Sequence, residues 1–280
     1  MKVKTAITAA AIFGSAYCFY EHAFPKRTEY TVNTPEDIAG MRILMLSDLH
    51  CNPFICNNER FLQRLKKEAP DVILLPGDMF SKHAKTQNER VPFFLQRLSA
   101  IAPVIMSVGN HEEELKHTDS ERFALYKQML TEFGICVLDN EAVTMRFRNR
   151  DINFIGLSLP LSVYKKKGSK ETKPLNLDYS DAAFRNQTIM LAHHPDYFKE
   201  YQEYASLIVS GHNHGGLVRL PVFGGMISPQ MYHTKYMHGA FTENDTTMVV
   251  SAGIGSHTLP ARLFNRIEYC VITTVCGEEV

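Results

Sequence analysis

RILMLSDLHCNPFICNNERFLQRLKKEAPDVILLPGD, residues 42–78, holds one full strand, helix and strand unit. "RILMLS" (42–47) reads as a buried strand, and "NNERFLQRLKKEA" (57–69) puts Phe61, Leu62 and Leu65 on one helical face before "DVILLP" (71–76) forms the next strand. The unit repeats downstream. "ERVPFFLQRLSAI" (89–101) reads as a helix that Pro92 interrupts early, and "PVIMSV" (103–108) as a third strand. Such repetition predicts a largely parallel sheet covered by helices. A helix is expected over 119–133. Beyond it, 141–159 reads as two strands around a polar turn at Asn149–Asp151. "TIMLAHH", "SLIVSGH", "TTMVVSAGI" and "YCVITTV" read as further short buried strands. The predicted class is α/β, a two-sheet β-sandwich flanked by helices.

The chain has 280 residues with 45% hydrophobic side chains, enough for one substantial core. Lys plus Arg and Asp plus Glu both number 30. That balance argues against duplex nucleic acid as a partner, and no obligate protein partner is expected. The six cysteines show no CxxC pair, so a disulfide framework is not expected; Cys51 and Cys56 read as buried thiols, with a bridge between them as the alternative for an exported chain.

The N-terminus differs in composition. "MKVK" precedes "TAITAAAIFGSAYCFY" (5–20), a run with no charge. A basic start followed by an apolar run is the pattern of an export signal or membrane anchor. The run is short of the ~20 residues that span a bilayer comfortably. The expected division is a signal or anchor segment over 1–25, a linker over 26–40, and a catalytic domain over 41–280. The anchor is expected to stay uncleaved, with export after cleavage as the alternative.

Each early strand runs into a polar cluster: "SDLH" with Asp48 and His50, "GDMF" with Asp78, "GNHEE" with Asn110 and His111. Later strands add "AHHP" with His193 and His194, then "GHNH" with His212 and His214. Strand carboxyl ends are where open α/β sheets build sites. One Asp after a strand is usually a turn or cap residue, but five such clusters together point to metal ligands. Asp48, His50, Asp78, Asn110, His193, His212 and His214 exceed one tetrahedral set, so two divalent ions are expected, with Asp78 as the natural bridge. Mn, Fe, Zn and Ni all accept such mixed ligands.

The order D-x-H, G-D, G-N-H-E, H-x-P, G-H-x-H resembles the calcineurin-like metallophosphoesterase superfamily, from about Arg42 onward. The resemblance implies one metal on Asp48, His50, Asp78 and His214, and a second on Asp78, Asn110, His193 and His212. It makes His193 rather than His194 the ligand and His111 the catalytic histidine. Glu112, where relatives often carry Asp, is expected to orient His111. The tail "GHNHGGLVRLPVFGG" with "SAGIGSHTLPARLFNRIEYCVITT" is similar to a bacterial branch of membrane-tethered phosphoesterases and UDP-diacylglucosamine pyrophosphatases. The implied function is two-metal hydrolysis of a phosphodiester or pyrophosphate on a small-molecule or lipid substrate at the bacterial plasma membrane. The alternatives are a UDP-2,3-diacylglucosamine pyrophosphatase of lipid A synthesis and a non-catalytic metal-binding scaffold. Segment 217–232 is either a hairpin packed on the core or a wall for acyl chains, and its only charge, Arg219, is a candidate substrate contact.

Overall fold

Alternating apolar side chains decide which layer each strand face meets. The computed structural model describes residues 2–81, 89–165, 182–216, 219–220, 224–225, 234–256, 262 and 264–277. Helix α1 (Lys2–Ala23) leads into strand β1 (Lys26–Thr34). Strand and helix units follow: β2 (Arg42–Met45), α2 (Pro53–Cys56), α3 (Glu59–Lys67), β3 (Val72–Pro76), α4 (Arg90–Ser99) and β4 (Val104–Ser107). Helices α5 (Asn110–Thr118) and α6 (Ser120–Glu132) precede β5 (Ile135–Leu138). The second half has the hairpin β6 (Glu141–Phe147) and β7 (Arg150–Leu157), then α7 (Leu161–Lys165), α8 (Ala182–Asn186), β8 (Thr188–Ala192), α9 (Phe198–Tyr201) and β9 (Leu207–Ser210). The short pair β10 (Arg219–Leu220) and β11 (Gly224–Gly225) comes before β12 (Gly239–Glu243), β13 (Thr246–Val250) and β14 (Glu268–Cys276).

Two six-stranded sheets result, ordered β1-β14-β2-β3-β4-β5 and β12-β13-β9-β8-β7-β6. Strands β2 to β5 run parallel, as do β7, β8, β9 and β13. Ile43 and Met45 of β2, with Val72 and Leu74 of β3, face the second sheet, where Ile189, Leu191, Leu207 and Val209 meet them. Their neighbours Leu44, Ile73 and Leu75 face the other way, against Phe61 and Leu65 of α3 and Phe94 and Leu98 of α4. The second sheet covers its outer face with Phe198, Tyr201 and Tyr236. Two parallel-rich sheets flanked by helices bear out the predicted class.

Local chemistry sets the helix ends. The Asn58 side chain accepts from the Phe61 amide at 2.9 Å to start α3, and Arg64, Lys66 and Lys67 lie in the last turn, where cations suit the helix dipole. Pro92 does not interrupt α4. It falls in the first turn, where a missing N–H costs no intrahelical bond.

Residues 26–40 are not a linker. Nine of them form β1, parallel to β14 from Lys26 opposite Glu268 to Thr34 opposite Cys276. Nor does the chain hinge before β1, because the Glu21 carbonyl accepts from the Ile267 amide at 3.0 Å and the His22 carbonyl from Asn52 at 3.3 Å. Among the described residues, no helix is long and apolar enough to cross a membrane. Cys51 and Cys56 are buried thiols not joined in a disulfide, and burial pushes Cys56 up to about 12.

Because β1 supplies the whole outer edge of its sheet, a chain starting at Pro25 is expected to fold. A chain starting at Pro35 should melt about 10 °C lower or more, or lose its cooperative transition. Circular-dichroism melts of the two would check this, and equal melting would show that β1 contributes nothing to stability.

Candidate metal centre

The strand ends of both sheets bring the site together. Beyond β2 and β3 the ladder continues through the loops: Asp48 N–H donates to Gly77 O at 3.2 Å and His50 N–H to Asp78 O at 3.1 Å. The Gly211 amide donates to His193 O at 3.1 Å, tying the loop after β9 to that after β8. Asn110 and His111 open α5 directly after β4.

Asp48, His50, Asp78, His212 and His214 all adopt left-handed backbone, with φ between 43° and 70°. Residues other than glycine rarely do so, at a cost on the order of 1–3 kcal/mol each, unless the surroundings impose it. Here the turns aim side chains at one point. Gly109 and Gly211 leave room for it, since a Cβ on Gly109 would collide with the Asp78 carboxylate and one on Gly211 with that of Asp48.

The side chains converge in two groups. Asp48, His50 and His214 form one, and Asp78, His193 and His212 the other, each with candidate ligand atoms within 4.8 Å of one another. His50 Nε2 faces His214 Nε2 at 3.1 Å, and His212 Nδ1 faces His193 Nε2 at 3.2 Å. Asn110 Oδ1 joins the second group, 3.2 Å from His193 Nε2. Asp78 lies between them. Its Oδ1 accepts the His111 amide at 2.8 Å, while Oδ2 is 3.2 Å from His193 Nε2 and 3.7 Å from His50 Nε2. All seven expected ligands are therefore in one cluster.

Electrostatics separate the two carboxylates. Burial pushes Asp48 up. Burial acts on Asp78 too, but the imidazoles of His193, His111 and His50 outweigh it and hold it well below the usual carboxylate range. Burial would lower His193, yet Asp78 overrides it and raises that imidazole to about 9. His194 is different: burial, then the charge of His193, lowers it to about 3, and its ring lies against Tyr164 and His212. Buried imidazoles and carboxylates facing each other at these distances are satisfied together by divalent cations, which borderline nitrogen and oxygen donors suit. The residues fit such ions.

His111 is buried, its ring edge-on to that of His50 with centroids 4.5 Å apart, and it shares a third group of candidate ligand atoms with His50 and Asp78. Arg219 lies elsewhere, its Nη1 2.7 Å from His238 Nδ1. The rest of segment 217–232, apart from 219–220 and 224–225, lies outside the described residues.

A model of calcineurin-like phosphoesterases matches residues 41–216. The chain belongs to that family. It is 26% identical to the metallophosphoesterase YkuE of Bacillus subtilis over 275 residues, covering 96% of this chain and 91% of that one. It is 26% identical to the phosphodiesterase YaeI of Escherichia coli over 226 residues, covering 79% and 77%. A solved 5'-nucleotidase precursor from Thermus thermophilus aligns with a TM-score of 0.47 at 15% identity, covering 77% of this chain and 49% of that one. For this chain, family and site geometry establish a metal-dependent phosphoesterase.

Several supports of this family's site were not legible in the motifs. Arg262 is buried; its Nη2 donates to Ala252 O at 2.7 Å and Gly255 O at 2.6 Å and lies 3.0 Å from His214 Nδ1. Asn265 donates to His214 O and Gly216 O at 2.6 and 2.5 Å. Both come from the tail, distant in sequence from "GHNH". The carboxylate of Glu112, the residue beside His111, accepts from the backbone amides of Asp78, Gly109 and Phe80 at 2.8, 2.9 and 2.8 Å. It thereby fixes the loop that carries Asp78. Burial, then the negative charge of Asp78, raises Glu112 to about 7.

A glutamine at 112 would turn an N–H₂ group toward amides that need an acceptor. Glu112→Gln should cost about 1–3 kcal/mol of stability. It should also weaken metal binding ~10–100-fold through displacement of Asp78. Denaturant titration and metal analysis check both. Unchanged metal affinity would show that the Asp78 loop holds its shape without Glu112.

Proposed function

We propose that this chain is a two-metal phosphoesterase that hydrolyses a phosphodiester or pyrophosphate bond at a membrane surface. One observation carries the chemistry: Asp78 Oδ2 lies between a His50 group and a His193 group, with His111 beside both. Two divalent ions held there would supply a water acidified to near-neutral pKa and neutralise phosphoryl charge. The first would rest on Asp48, His50, Asp78 and His214, the second on Asp78, Asn110, His193 and His212. His111 would meet the phosphate or its departing oxygen and give that oxygen a proton. Similarity to YaeI, a phosphodiesterase, supports the diester reading.

Helix α1 supports the membrane part. It exposes Ile12, Phe13, Phe19 and Tyr20, with exposed Phe24 just beyond its end, and exposed Phe54 of α2 packs edge-on to Phe19 at 5.3 Å. Clustered exposed rings beside an apolar helix suit a membrane interface, where the helix lies along the surface.

Purified, metal-reconstituted chain should turn over an aryl phosphodiester. Full metal occupancy without turnover of any phosphodiester or pyrophosphate would return the non-catalytic scaffold reading. Asp78→Ala should remove most of both metals and His214→Ala mainly one, as read by metal analysis; two full equivalents in Asp78→Ala would overturn the bridge.

General acid catalysis typically contributes ~10²–10⁴-fold. His111→Ala should therefore keep both metals, lose about that factor in kcat on an alkyl phosphodiester, and lose much less on a nitrophenyl ester, whose phenolate leaves unaided. Equal losses on the two esters would assign His111 to charge stabilisation. Loss of metal would make it a ligand.

A further inference from the structure

A cavity of about 340 Å³ opens where the end of α1 meets β10 and the start of β14. No candidate metal ligand lines it among the described residues; it borders the metal site through Asn265, which holds the His214 loop, and Ala252, whose carbonyl accepts from Arg262. Its charged lining is Lys26, Arg219 and Arg266 against Glu21 and Glu268. Three cations against two carboxylates favour an anion.

Arg219 is prepared for one. Its guanidinium can only donate, so His238 Nδ1 accepts from it and His238 Nε2 carries the proton given to Glu268 Oε1 at 2.8 Å. Glu268 is anchored in turn by the Ala252 amide at 2.9 Å and the Thr28 hydroxyl at 2.5 Å. This relay holds the guanidinium in place with one donor engaged among the described residues, leaving the rest of its fork for a ligand. Arg266 is fixed as well: it donates to Phe24 O and to the Tyr20 hydroxyl and lies 4.5 Å over the Tyr20 ring.

Glu21 sets the second requirement. It is 5% exposed and lines the cavity, and although Tyr17 hydrogen-bonds its carboxylate, Oε2 has no partner among the described residues. A buried carboxylate oxygen without a donor is costly, so it calls for a hydroxyl or ammonium group from a ligand. At the rim, Phe264 is held at φ 55°, a strained conformation for a bulky residue, with its half-exposed ring 5.6 Å from that of Tyr17. These rings would cover an aliphatic portion.

We infer that this cavity is a second binding site, for a phosphate ester that also carries an ammonium or hydroxyl donor. The phosphate would meet Arg219, Lys26 and Arg266, and the donor Glu21. The same chemistry is offered by a free glycerophospho compound and by a phospholipid headgroup whose chains run along the exposed rings of α1. The inference is independent of catalysis, since no reacting group contributes to it.

Calorimetric titration of glycerophosphoethanolamine and of inorganic phosphate into the full chain, as isolated and again after chelation, tests it. The component surviving chelation belongs to the cavity. Glu21→Gln should weaken glycerophosphoethanolamine roughly tenfold, the value of one charge-assisted hydrogen bond, and leave inorganic phosphate unchanged or tighter. Arg219→Gln should weaken both ligands. If Glu21→Gln or Arg219→Gln fails to fold, Lys26→Ala on the exposed edge strand should still weaken both. Flotation with phosphatidylethanolamine vesicles identifies the source: vesicle binding that falls in Arg219→Gln or Lys26→Ala, without binding of the free ester, assigns the lipid headgroup. Binding of the free ester assigns the soluble one. No binding of either kind, or binding equal in wild type and variants, overturns the site.

Discussion

The Asp78 carboxylate is the constraint around which the rest is arranged. One oxygen accepts the His111 amide and the other faces imidazoles from both groups, so small displacements of it would break contacts on two sides. Three features follow. Its backbone takes a left-handed turn at φ 56°, the neighbouring strand end must be glycine at 109, and Glu112 must collect three amides to hold the loop. Each is unfavourable or restrictive alone. Together they fix a buried anion where two sheets meet, and the low titration of Asp78 is the electrostatic record of that placement.

The residues of the cluster were legible in the sequence because each lies just beyond a strand that reads clearly as apolar. Their supports were not. Arg262 and Asn265 act on His214 from about fifty residues away, and nothing in "TLPARLFNR" marks an arginine that will be buried among carbonyls. Glu112 was visible, but its hold on the Asp78 loop was not: at the third position of α5 its side chain turns back to the amides of Gly109 and Asp78.

Strand β1 was missed for a different reason. "KRTEYTVNT" carries three charged residues and reads as solvated chain, yet Thr28, Tyr30, Val32 and Thr34 occupy alternate positions and are the less exposed face. Edge strands carry charge because an unpaired row of amides invites association, so the feature that hid β1 is the one expected of an outermost strand. A stricter count of period two would have found it. Pro92 is the same lesson for helices: its effect depends on which turn it occupies, and at the third position of α4 it lies in the first turn, where a proline is tolerated.

Strain at the ligands bears on whether the cluster is built for chemistry. A domain that needed only to fold could place glycine or asparagine at left-handed turns, and Gly77, Gly215 and Gly216 show that this chain uses glycine freely beside them. It nevertheless puts Asp48, His50, Asp78, His212 and His214 in that conformation. Stability would improve by on the order of 1 kcal/mol at each such position if backbone ease were all that mattered. Left-handed residues whose carboxylates and imidazoles all aim at one buried point are thus hard to explain by packing. Divalent ions held there would offset the strain with their binding free energy. His111 adds what a merely structural metal site would not require, a further imidazole brought against His50 whose backbone amide also fixes Asp78.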